Sequence, residues 1–402
     1  MAEALDQSSP FLPAEIIIHI LSYLQDQPLR QHTLNACCLV SRLWYSAALP
    51  LLYERPYISG NNFDKFALAI CPPAQAYAPR GDLGRFVRRL DFSRLVHHLS
   101  TSTTTRFLGR CKEGLEIFIA PASGFSAVNL TTLSKCTALR SLDLLHVRKP
   151  LDLPSIKKAI HRMPNLRRLR LPSSTDILSN PHPPSKTSTS SSTNSPPWPS
   201  QLRKLEISGR LDPTIMPTFD YPPALTSLTL AGAALQPYPP SAAVVAPLNN
   251  HPSKIPFILS NPHLQQHLRR LRIPYASHNR HADAEGLPHY IPNLHYLSIQ
   301  GDLIQPEFFR ECALLREPLP LEILAFEQAE GFPEFSERDL REAVEAGLGN
   351  LRLVGFHESY AERLEGVEEE VEEVLRENAV WKGWERDEIE RGEVEVGVYY
   401  FD

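Results

Sequence analysis

Basic side chains recur at matching positions of a repeated hexamer, and the chemistry they offer is the recognition of anions. The hexamers LRRLRL, LRKLEI and LRRLRI begin at Leu166, Leu202 and Leu268. Side chains between their leucines share one face of an alternating strand. Those we select as ligand-binding candidates are Arg168, Arg170, Lys204, Arg270, Arg272 and, from a further hexamer, Tyr296. Arginine pairs with carboxylate or phosphate through two parallel hydrogen bonds. We therefore predict an acidic or phosphorylated protein segment as the ligand, the alternative being solvated surface charge.

No other group of residues in the sequence predicts an active site. The segment SHNRHADAEGLPH holds His278, His281, Asp283, Glu285 and His289, but their spacing matches no standard zinc motif. The chain has no GxSxG elbow, no P-loop and no GxGxxG. Its six cysteines include no CxxC pair, which argues against a zinc site or a disulfide framework and suits a reducing compartment. We expect no catalytic residue, no metal and no cofactor.

Charge and hydropathy limit the classes of partner. The net charge is −5, of which the residues from Glu362 onward carry −10, so the remainder is only mildly basic. That excess is smaller than nucleic-acid binding requires. The most apolar stretch, FLPAEIIIHILSYL at 11–24, is shorter than the roughly 20 residues of a membrane span, and it contains Glu15 and His19. The residues before it lack the basic region of a signal peptide. We expect a soluble protein, cytoplasmic or nuclear or both, without nucleic-acid or membrane partners.

The positions of the basic residues depend on a repeat. The pattern L-x-x-L-x-L or a close variant begins at Val87, Leu115, Leu139, Leu166, Leu202, Leu225, Leu268, Leu294, Leu321 and Leu351. Most intervals are close to the roughly 20 to 29 residues of a leucine-rich repeat. Helix-like segments such as SIKKAIHRMPN lie between the hexamers. The repeat predicts an α/β fold over residues 80–357, a curved leucine-rich-repeat solenoid with parallel strands on its concave face.

Two intervals are too long for one repeat, and the chain after the last hexamer has a different composition. A polar low-complexity run predicts a disordered insertion at 173–201, and a proline-rich run predicts a loop insertion at 236–256. Residues 358–402 combine an acidic helix carrying Val367, Val371 and Leu375 with the alternating segment EVEVGVYYF. We interpret 358–402 as an acidic terminal cap of the solenoid.

The apolar stretch near the start predicts a small helical domain with a partner. We expect residues 1–10 to form a flexible tail and residues 11–60 to hold three short helices, the third capped by Ser41. Helical domains of this size bury little apolar surface among their own elements. Part of the apolar surface of residues 11–60 must therefore contact another chain.

The residues of this domain resemble a known motif. Leu12-Pro13-x-Glu15-Ile16, then Ile20-Leu21-x-x-Leu24, then Cys38-Leu39-Val40-Ser41-Arg42-x-Trp44 resemble the F-box, and ALPLLYERPYISGNNF is similar to fungal members. The resemblance implies an F-box protein with leucine-rich repeats, which as a family are substrate receptors of cullin-RING ubiquitin ligases. It implies that the F-box binds a Skp-family adaptor while the repeats hold the target. The adaptor-binding candidates that follow from the match are Leu12, Pro13, Ile16, Ile20, Leu21, Val40 and Trp44.

Three functions remain as alternatives at this point. The first is a non-catalytic receptor of an SCF-type ligase (Skp adaptor, cullin, F-box), whose other subunits transfer ubiquitin. The second is an adaptor-bound scaffold that recruits partners without ubiquitylating them. The third, an enzyme within an irregular solenoid, requires a cluster of titratable groups that the sequence does not offer.

Overall fold

The computed structural model describes most of the chain as two compact units. The described residues are 12–24, 29–72, 82–95, 99–174, 196–208, 216, 219–231, 255, 259–274, 286–328, 336–361, 366–384 and 395–401. The units are Met1–Leu142 and Asp143–Asp402. The predicted tail at 1–10 lies outside the described residues, as does the predicted loop insertion at 236–256 apart from Ile255.

The first unit begins with helices and continues into two strand-containing repeats. Its elements are α1 (Ala14–Ser22), α2 (Arg30–Cys37), α3 (Arg42–Glu54), α4 (Phe63–Ile70), a 3₁₀ turn (Leu83–Phe86), β1 (Arg89–Asp91), α5 (Thr101–Cys111), β2 (Ile117–Ile119) and α6 (Ala127–Leu133). Pro13 precedes α1, where its missing N–H is not needed. Ser41 caps α3 by accepting a hydrogen bond from the Trp44 N–H at 3.3 Å, as the sequence predicts. The core of α1 to α3 consists of Ile17, Leu21, Leu34, Ala47 and Ala48.

Within this unit the helices pack directly against the first repeat. The Arg88 N–H, just before β1, donates to the Glu54 carbonyl at the end of α3 at 2.9 Å. Phe66 of α4 stacks on Phe107 of α5 with 5.5 Å between ring centroids. The apolar and backbone contacts show that α3 and α4 are part of the same packed unit as β1 and α5.

The second unit repeats a strand and, in most repeats, a helix. Strand β3 (Ser141–Asp143) spans the point at which the chain divides. The elements that follow are α7 (Leu153–Ile160), β4 (Arg168–Arg170), β5 (Lys204–Ile207), β6 (Ser227–Leu230), α8 (Pro262–His267), β7 (Arg270–Ile273), β8 (Tyr296–Gln300), α9 (Pro306–Ala313), β9 (Ile323–Glu327), α10 (Glu337–Ala346), β10 (Leu353–His357), α11 (Val367–Trp381) and β11 (Gly397–Phe401). Short 3₁₀ turns occupy Leu287–Tyr290, Gly301–Leu303 and Glu358–Tyr360.

Each of the ten hexamers forms a strand, and neighbouring strands are parallel. From β4 to β11 every strand pairs with the next one along the chain, and β1 pairs with β2 in the same sense in the first unit. The central leucines are in register across the sheet, from Leu169 through Leu205, Leu228, Leu271 and Leu297 to Leu324. These leucines are at most 2 % exposed. One repeat therefore buries its apolar side chains against the next, and the predicted α/β class with one parallel strand per repeat is confirmed.

The structure differs from the predicted disordered insertion at both of its ends. Ser173, Ser174 and residues 196–201 belong to the described fold, whereas 175–195 lie outside it. Trp198 is buried, and its indole N–H donates to the Asp220 carbonyl at 2.7 Å. The ammonium of Lys157 lies 4.8 Å from the Trp198 ring centroid and 2.8 Å from the Asp220 carboxylate. The buried side chain of Trp198 thus packs the end of this segment into the fold, although the composition of the segment indicates disorder.

A helix and a strand follow the last hexamer, in the segment interpreted as a cap. Helix α11 buries Val371, Val374 and Leu375. Strand β11 pairs with β10 in parallel, from Gly397 opposite Leu353 to Phe401 opposite His357. Val371 and Leu375 are two of the three stripe residues selected from the sequence. The domain bounds 11–60, 80–357 and 358–402 stay predictions.

Candidate functional site

The helical part of the first unit exposes apolar side chains in an unusual concentration. Among the described residues, nine of fifteen exposed large apolar side chains lie between residues 12 and 45. They are Leu12, Ile16, Ile18, Ile20, Tyr23, Leu29, Leu39, Val40 and Tyr45. Single exposed apolar side chains are ordinary on protein surfaces, but a concentration of them marks an interaction site. We call these nine residues the apolar surface.

Helix α1 is apolar on two sides, and only one side faces the core. Ile17 is fully buried and Leu21 is 2 % exposed. Ile16 and Ile20 follow one another at a helical spacing of four and remain 46 % and 44 % exposed. A helix that packs one side against its own domain and leaves the other apolar side in water has a second surface available for a partner.

The structure separates the predicted adaptor-binding residues into an exposed and a buried group. Leu12, Pro13, Ile16, Ile20 and Val40 are exposed. Leu21 is 2 % exposed and belongs to the core of the three helices with Ile17 and Leu34, so little of its side chain is available to an adaptor, and its assignment to an interface stays a prediction. Trp44 is half-buried and packs against the same core. Whether the exposed group binds an adaptor stays a prediction.

Sequence reasoning missed several residues of the apolar surface. Leu39 is 82 % exposed, Tyr23 is 71 % exposed and Ile18 is 50 % exposed. Leu39 and Val40 lie in the turn between α2 and α3, where no helical periodicity points to them. The available signal was the sequence Leu39-Val40 directly before the capping residue Ser41, since two apolar residues in a turn have little core to enter.

In the second unit, the predicted ligand-binding residues lie in two rows that run across the strands. Row 1 is Arg168, Lys204, Ser227, Arg270 and Tyr296, one residue each from β4 to β8 in register. Row 2 is Arg170, Glu206, Thr229, Arg272 and Ser298, two residues further along the same strands. Because successive side chains of a strand alternate, both rows share one face, opposite the buried leucines. We call it the polar face.

The arginines of row 2 already have carboxylate partners. The Arg170 guanidinium donates to both carboxylate oxygens of Glu206, at 2.7 and 2.8 Å, and to Asp143 at 2.7 Å. Arg272 donates to both oxygens of Glu327 at 2.6 and 3.0 Å. Burial disfavours the charge of Arg170, but its pKa is raised because hydrogen bonds and charges from Glu206 and Asp143 outweigh that effect. The hydrogen bond from Arg272 to Glu327 raises the pKa of Arg272. Binding a ligand at either arginine would require breaking a pair of hydrogen bonds.

The cations of row 1 remain exposed to solvent. Arg168, Lys204 and Arg270 are exposed, and none of them pairs with a carboxylate among the described residues. The Arg270 guanidinium lies over the Tyr296 ring, 5.5 Å from its centroid. Of the six residues selected from the sequence, these four remain available at the surface or half-buried beside it.

Three further arginines lie directly before the same strands, and the sequence prediction omitted them. Arg167, Arg203 and Arg269 are exposed and precede Arg168, Lys204 and Arg270. Their backbones are in register, because the Arg203 N–H donates to the Arg167 carbonyl and the Arg269 N–H donates to that of Thr226. The signal was the doubled basic pair in LRRLRL, LRKLEI and LRRLRI, since both members remain outside the core. We call the six residues Arg167, Arg168, Arg203, Lys204, Arg269 and Arg270 the basic strip.

Beyond β8 the polar face is covered by Tyr399 of β11. Small residues, Ser298, Ala325 and Gly355, continue row 2 toward β11, and a Cβ on Gly355 would clash with the Tyr399 ring. Burial, followed by the nearby Tyr296 and Glu327 and a hydrogen bond with Tyr296, raises the pKa of Tyr399 to about 12. Tyr296, selected as a ligand residue, therefore contacts Arg270 on one side and Tyr399 on the other.

The described part of the chain shows few side-chain groups suited to metal binding or nucleophilic catalysis. No group of three or more histidine, cysteine, aspartate or glutamate residues within it could hold a metal ion. Of the five candidate ligands in the histidine-rich segment, only His289 belongs to the described residues, in the 3₁₀ turn Leu287–Tyr290. Burial raises the pKa of the Cys111 and Cys312 thiols, and it raises that of Cys136 to about 12. Such thiols are poor nucleophiles at neutral pH. Across the described helices, none combines the length and apolar character needed to span a bilayer.

Comparison with known proteins identifies the class of the first helices. Residues 10–59 match the F-box-like family. The range contains α1, α2, α3 and all nine residues of the apolar surface. The chain therefore carries an F-box-like domain, followed by parallel strand-containing repeats.

A curated relative extends the similarity beyond that domain. The chain is 29 % identical over 251 residues to the F-box protein YDR306C of Saccharomyces cerevisiae. The alignment covers 54 % of this chain and 47 % of the relative, so the matched region spans about half the length of that protein. The fungal character expected from ALPLLYERPYISGNNF is supported by this match.

A solved structure gives a weaker comparison. The crystal structure of the Rad7 and Elc1 complex in yeast matches with 14 % sequence identity and a TM-score of 0.34, covering 86 % of this chain and 88 % of that one.

Proposed function

We propose that the chain is a substrate-recognition subunit of an SCF-type ubiquitin ligase. The apolar surface of the F-box-like domain binds a Skp-family adaptor and, through it, a cullin-RING ligase, while the polar face of the repeats binds the target protein. The chain contributes no catalytic residue and no cofactor. It works in the cytoplasm, the nucleus or both.

The single observation that carries the proposal is the two-sided apolar character of α1. Ile16 and Ile20 stay about half exposed although a core of Ile17 and Leu21 lies on the other side of the same helix. Covering two such side chains with a partner stabilises the complex by about 1 kcal/mol or more each. The F-box-like match at 10–59 supports a Skp-family adaptor as that partner.

The mechanism that follows is an increase in effective concentration. A target held on the repeats and an adaptor held on the helices belong to one assembly. Attack by a target lysine on the thioester that joins ubiquitin to the conjugating enzyme therefore becomes quasi-intramolecular. The chain supplies binding and positioning, and the other subunits supply the chemistry of ubiquitin transfer.

Binding of a purified Skp-family adaptor tests the proposal. The double variant Ile16→Glu, Ile20→Glu should lose more than tenfold in affinity, because it places two charges where apolar area is to be buried. Val128→Glu is the matched control: Val128 is 68 % exposed on α6, outside the F-box-like match, and its substitution should leave binding unchanged. Circular dichroism should be the same for all three proteins.

The scaffold alternative predicts a different result in a second step. Addition of cullin-RING components and conjugating enzyme should yield an assembly that contains cullin, and target turnover should depend on both the F-box-like domain and the repeats. An assembly with adaptor that excludes cullin would favour the scaffold. Unimpaired adaptor binding by the double variant would contradict the proposed interface.

A further inference from the structure

The second unit separates its cations into a paired set and an open set. In row 2 each arginine is bound by a carboxylate of the protein itself, Arg170 by Glu206 and Arg272 by Glu327. In the basic strip the six cations are exposed and have no carboxylate partner among the described residues. The open set therefore retains its capacity for a ligand, whereas the paired set contributes to folding.

The basic strip has a defined geometry. Its members occupy the N-terminal ends of β4, β5 and β7, which meet at one edge of the sheet because the strands are parallel. Neighbouring strands are about 4.8 Å apart, so the strip extends about 14 Å from β4 to β7. Strand β6, between them, contributes the half-buried hydroxyls of Ser227 and, directly before it, Thr226.

Two features limit where a ligand can lie. Toward β11, Tyr399 covers the polar face and contacts Tyr296. Further along the strands, row 2 presents arginines whose hydrogen bonds are already used by carboxylates. What remains open is the edge formed by β4 to β7, where the strip lies.

The distribution of charge favours carboxylates spread along a chain over one compact phosphate. A single phosphate satisfies donors that converge on one point, whereas these cations are spaced strand by strand over about 14 Å. In an extended peptide alternate side chains are about 6.8 Å apart on one side, so three alternate acidic residues span a similar length. Arg170 and Arg272 show that arginines on this face can bind glutamate through two hydrogen bonds.

We propose that the basic strip binds an extended, unphosphorylated acidic segment of a protein target, which crosses strands β4 to β7 with its carboxylates facing Arg168, Lys204 and Arg270. Arg167, Arg203 and Arg269, one residue earlier in each repeat, add positive charge at the same edge of the sheet. The inference rests on the proposed function, because it names the class of target segment that the repeats hold.

Fluorescence anisotropy with a defined probe tests the inference on the full chain, alone and bound to adaptor. The probe is a fluorescein-labelled peptide with glutamate at three alternate positions, compared with the same peptide carrying glutamine. The full chain should bind the glutamate peptide, and binding should weaken as salt is added because exposed charges are screened. The triple variant Arg168→Gln, Lys204→Gln, Arg270→Gln should raise Kd about tenfold or more.

A second triple variant provides a control of equal charge. Lys149, Lys158 and Arg162 are exposed residues of the same unit and lie outside the basic strip. Their replacement by glutamine removes the same formal charge and should change Kd less than about twofold if local contacts dominate. An equal loss in both triple variants would mean that binding follows net charge, and the inference would be wrong.

Other ligands enter the test as outcomes that overturn the inference. It is wrong if a peptide with phosphoserine at the same three positions binds more than tenfold tighter than the glutamate peptide. It is also wrong if a single-stranded oligonucleotide binds more than tenfold tighter than the glutamate peptide, or if the full chain does not bind the glutamate peptide at low salt. Adaptor binding by the unsubstituted chain separates the two claims. If the unsubstituted chain binds adaptor but not the glutamate peptide, only the basic strip is rejected, and if it binds the peptide but not the adaptor, only the adaptor interface is rejected.

Discussion

Arginines two residues apart on one strand of this protein have different partners, which are supplied by the next two strands of the sheet. Arg270 and Arg272 both belong to β7 and both point to the polar face. Arg272 reaches Glu327 of β9, which is only 4 % exposed, while Arg270 lies over the Tyr296 ring. One arginine therefore compensates a buried carboxylate, and the other remains available.

The first prediction concerns this difference. Arg272→Ala leaves the Glu327 carboxylate buried without its cation, and we expect a loss of about 2 kcal/mol in the free energy of unfolding, less than for a fully buried pair because Arg272 is half exposed. Arg270→Ala removes an exposed side chain and should cost less than about 0.5 kcal/mol. Urea unfolding followed by tryptophan fluorescence measures both. Similar losses in the two variants would contradict the assignment of Arg272 to a structural pair.

These ion pairs are the part of the polar face that the sequence could not reveal. Alternation in LRRLRI places Arg270 and Arg272 on one face, and it treats them as equivalent. Their difference depends on Glu327, which lies 55 residues away from Arg272 in the chain and follows the hexamer of its own repeat. Register between strands and side-chain reach decide such a contact, and neither is encoded in a local pattern.

At the scale of elements, the local sequence pattern predicts where the strands lie, but it does not predict which side of a helix faces the core. Each hexamer became a strand because its alternating leucines can be buried only against neighbours with the same alternation. Helix α1 offers apolar residues around most of its circumference, so the sequence did not determine that Leu21 would face the core and Ile20 the solvent. Trp198 is a similar case, since one buried indole outweighs the polar composition before it.

A close approach between two elements of the first unit gives the second prediction. A Cβ on Gly84, in the 3₁₀ turn before β1, would lie 2.5 Å from the Arg110 carbonyl oxygen at the end of α5. Gly84→Ala therefore requires a backbone shift, and we expect a loss of about 1 to 3 kcal/mol. Gly109 of α5 provides the comparison, because a Cβ there would meet no described atom within 4 Å beyond the backbone of its own helix and its chain neighbours.

The expected change in stability for Gly109→Ala has the opposite sign to that for Gly84→Ala. Gly109→Ala adds a methyl group in open space within α5, where alanine favours the helix by up to about 1 kcal/mol over glycine. Thermal unfolding of the two variants should therefore shift in opposite directions from the unsubstituted chain. Equal shifts would show that the 3₁₀ turn does not pack on α5 as described.

At the scale of the whole molecule, the two proposed binding surfaces belong to different units. The apolar surface lies within Met1–Leu142 and the basic strip within Asp143–Asp402. The two sets share no residue, and one is apolar whereas the other is cationic. Their contributions to binding should therefore be independent, as is usual for substitutions at separate sites.

The third prediction follows from this separation and is tested with a bridging assay. Beads carrying the Skp-family adaptor should retain the labelled glutamate peptide only when the full chain is present, because the proposal places adaptor and peptide on different surfaces of the chain. The Ile16→Glu, Ile20→Glu variant should lose bridging because it leaves the beads, while it still binds peptide in solution. The Arg168→Gln, Lys204→Gln, Arg270→Gln variant should stay on the beads and lose the peptide, and Val128→Glu should bridge normally. Loss of both activities in either variant would contradict two independent surfaces, because a substitution in one unit would then control binding in the other.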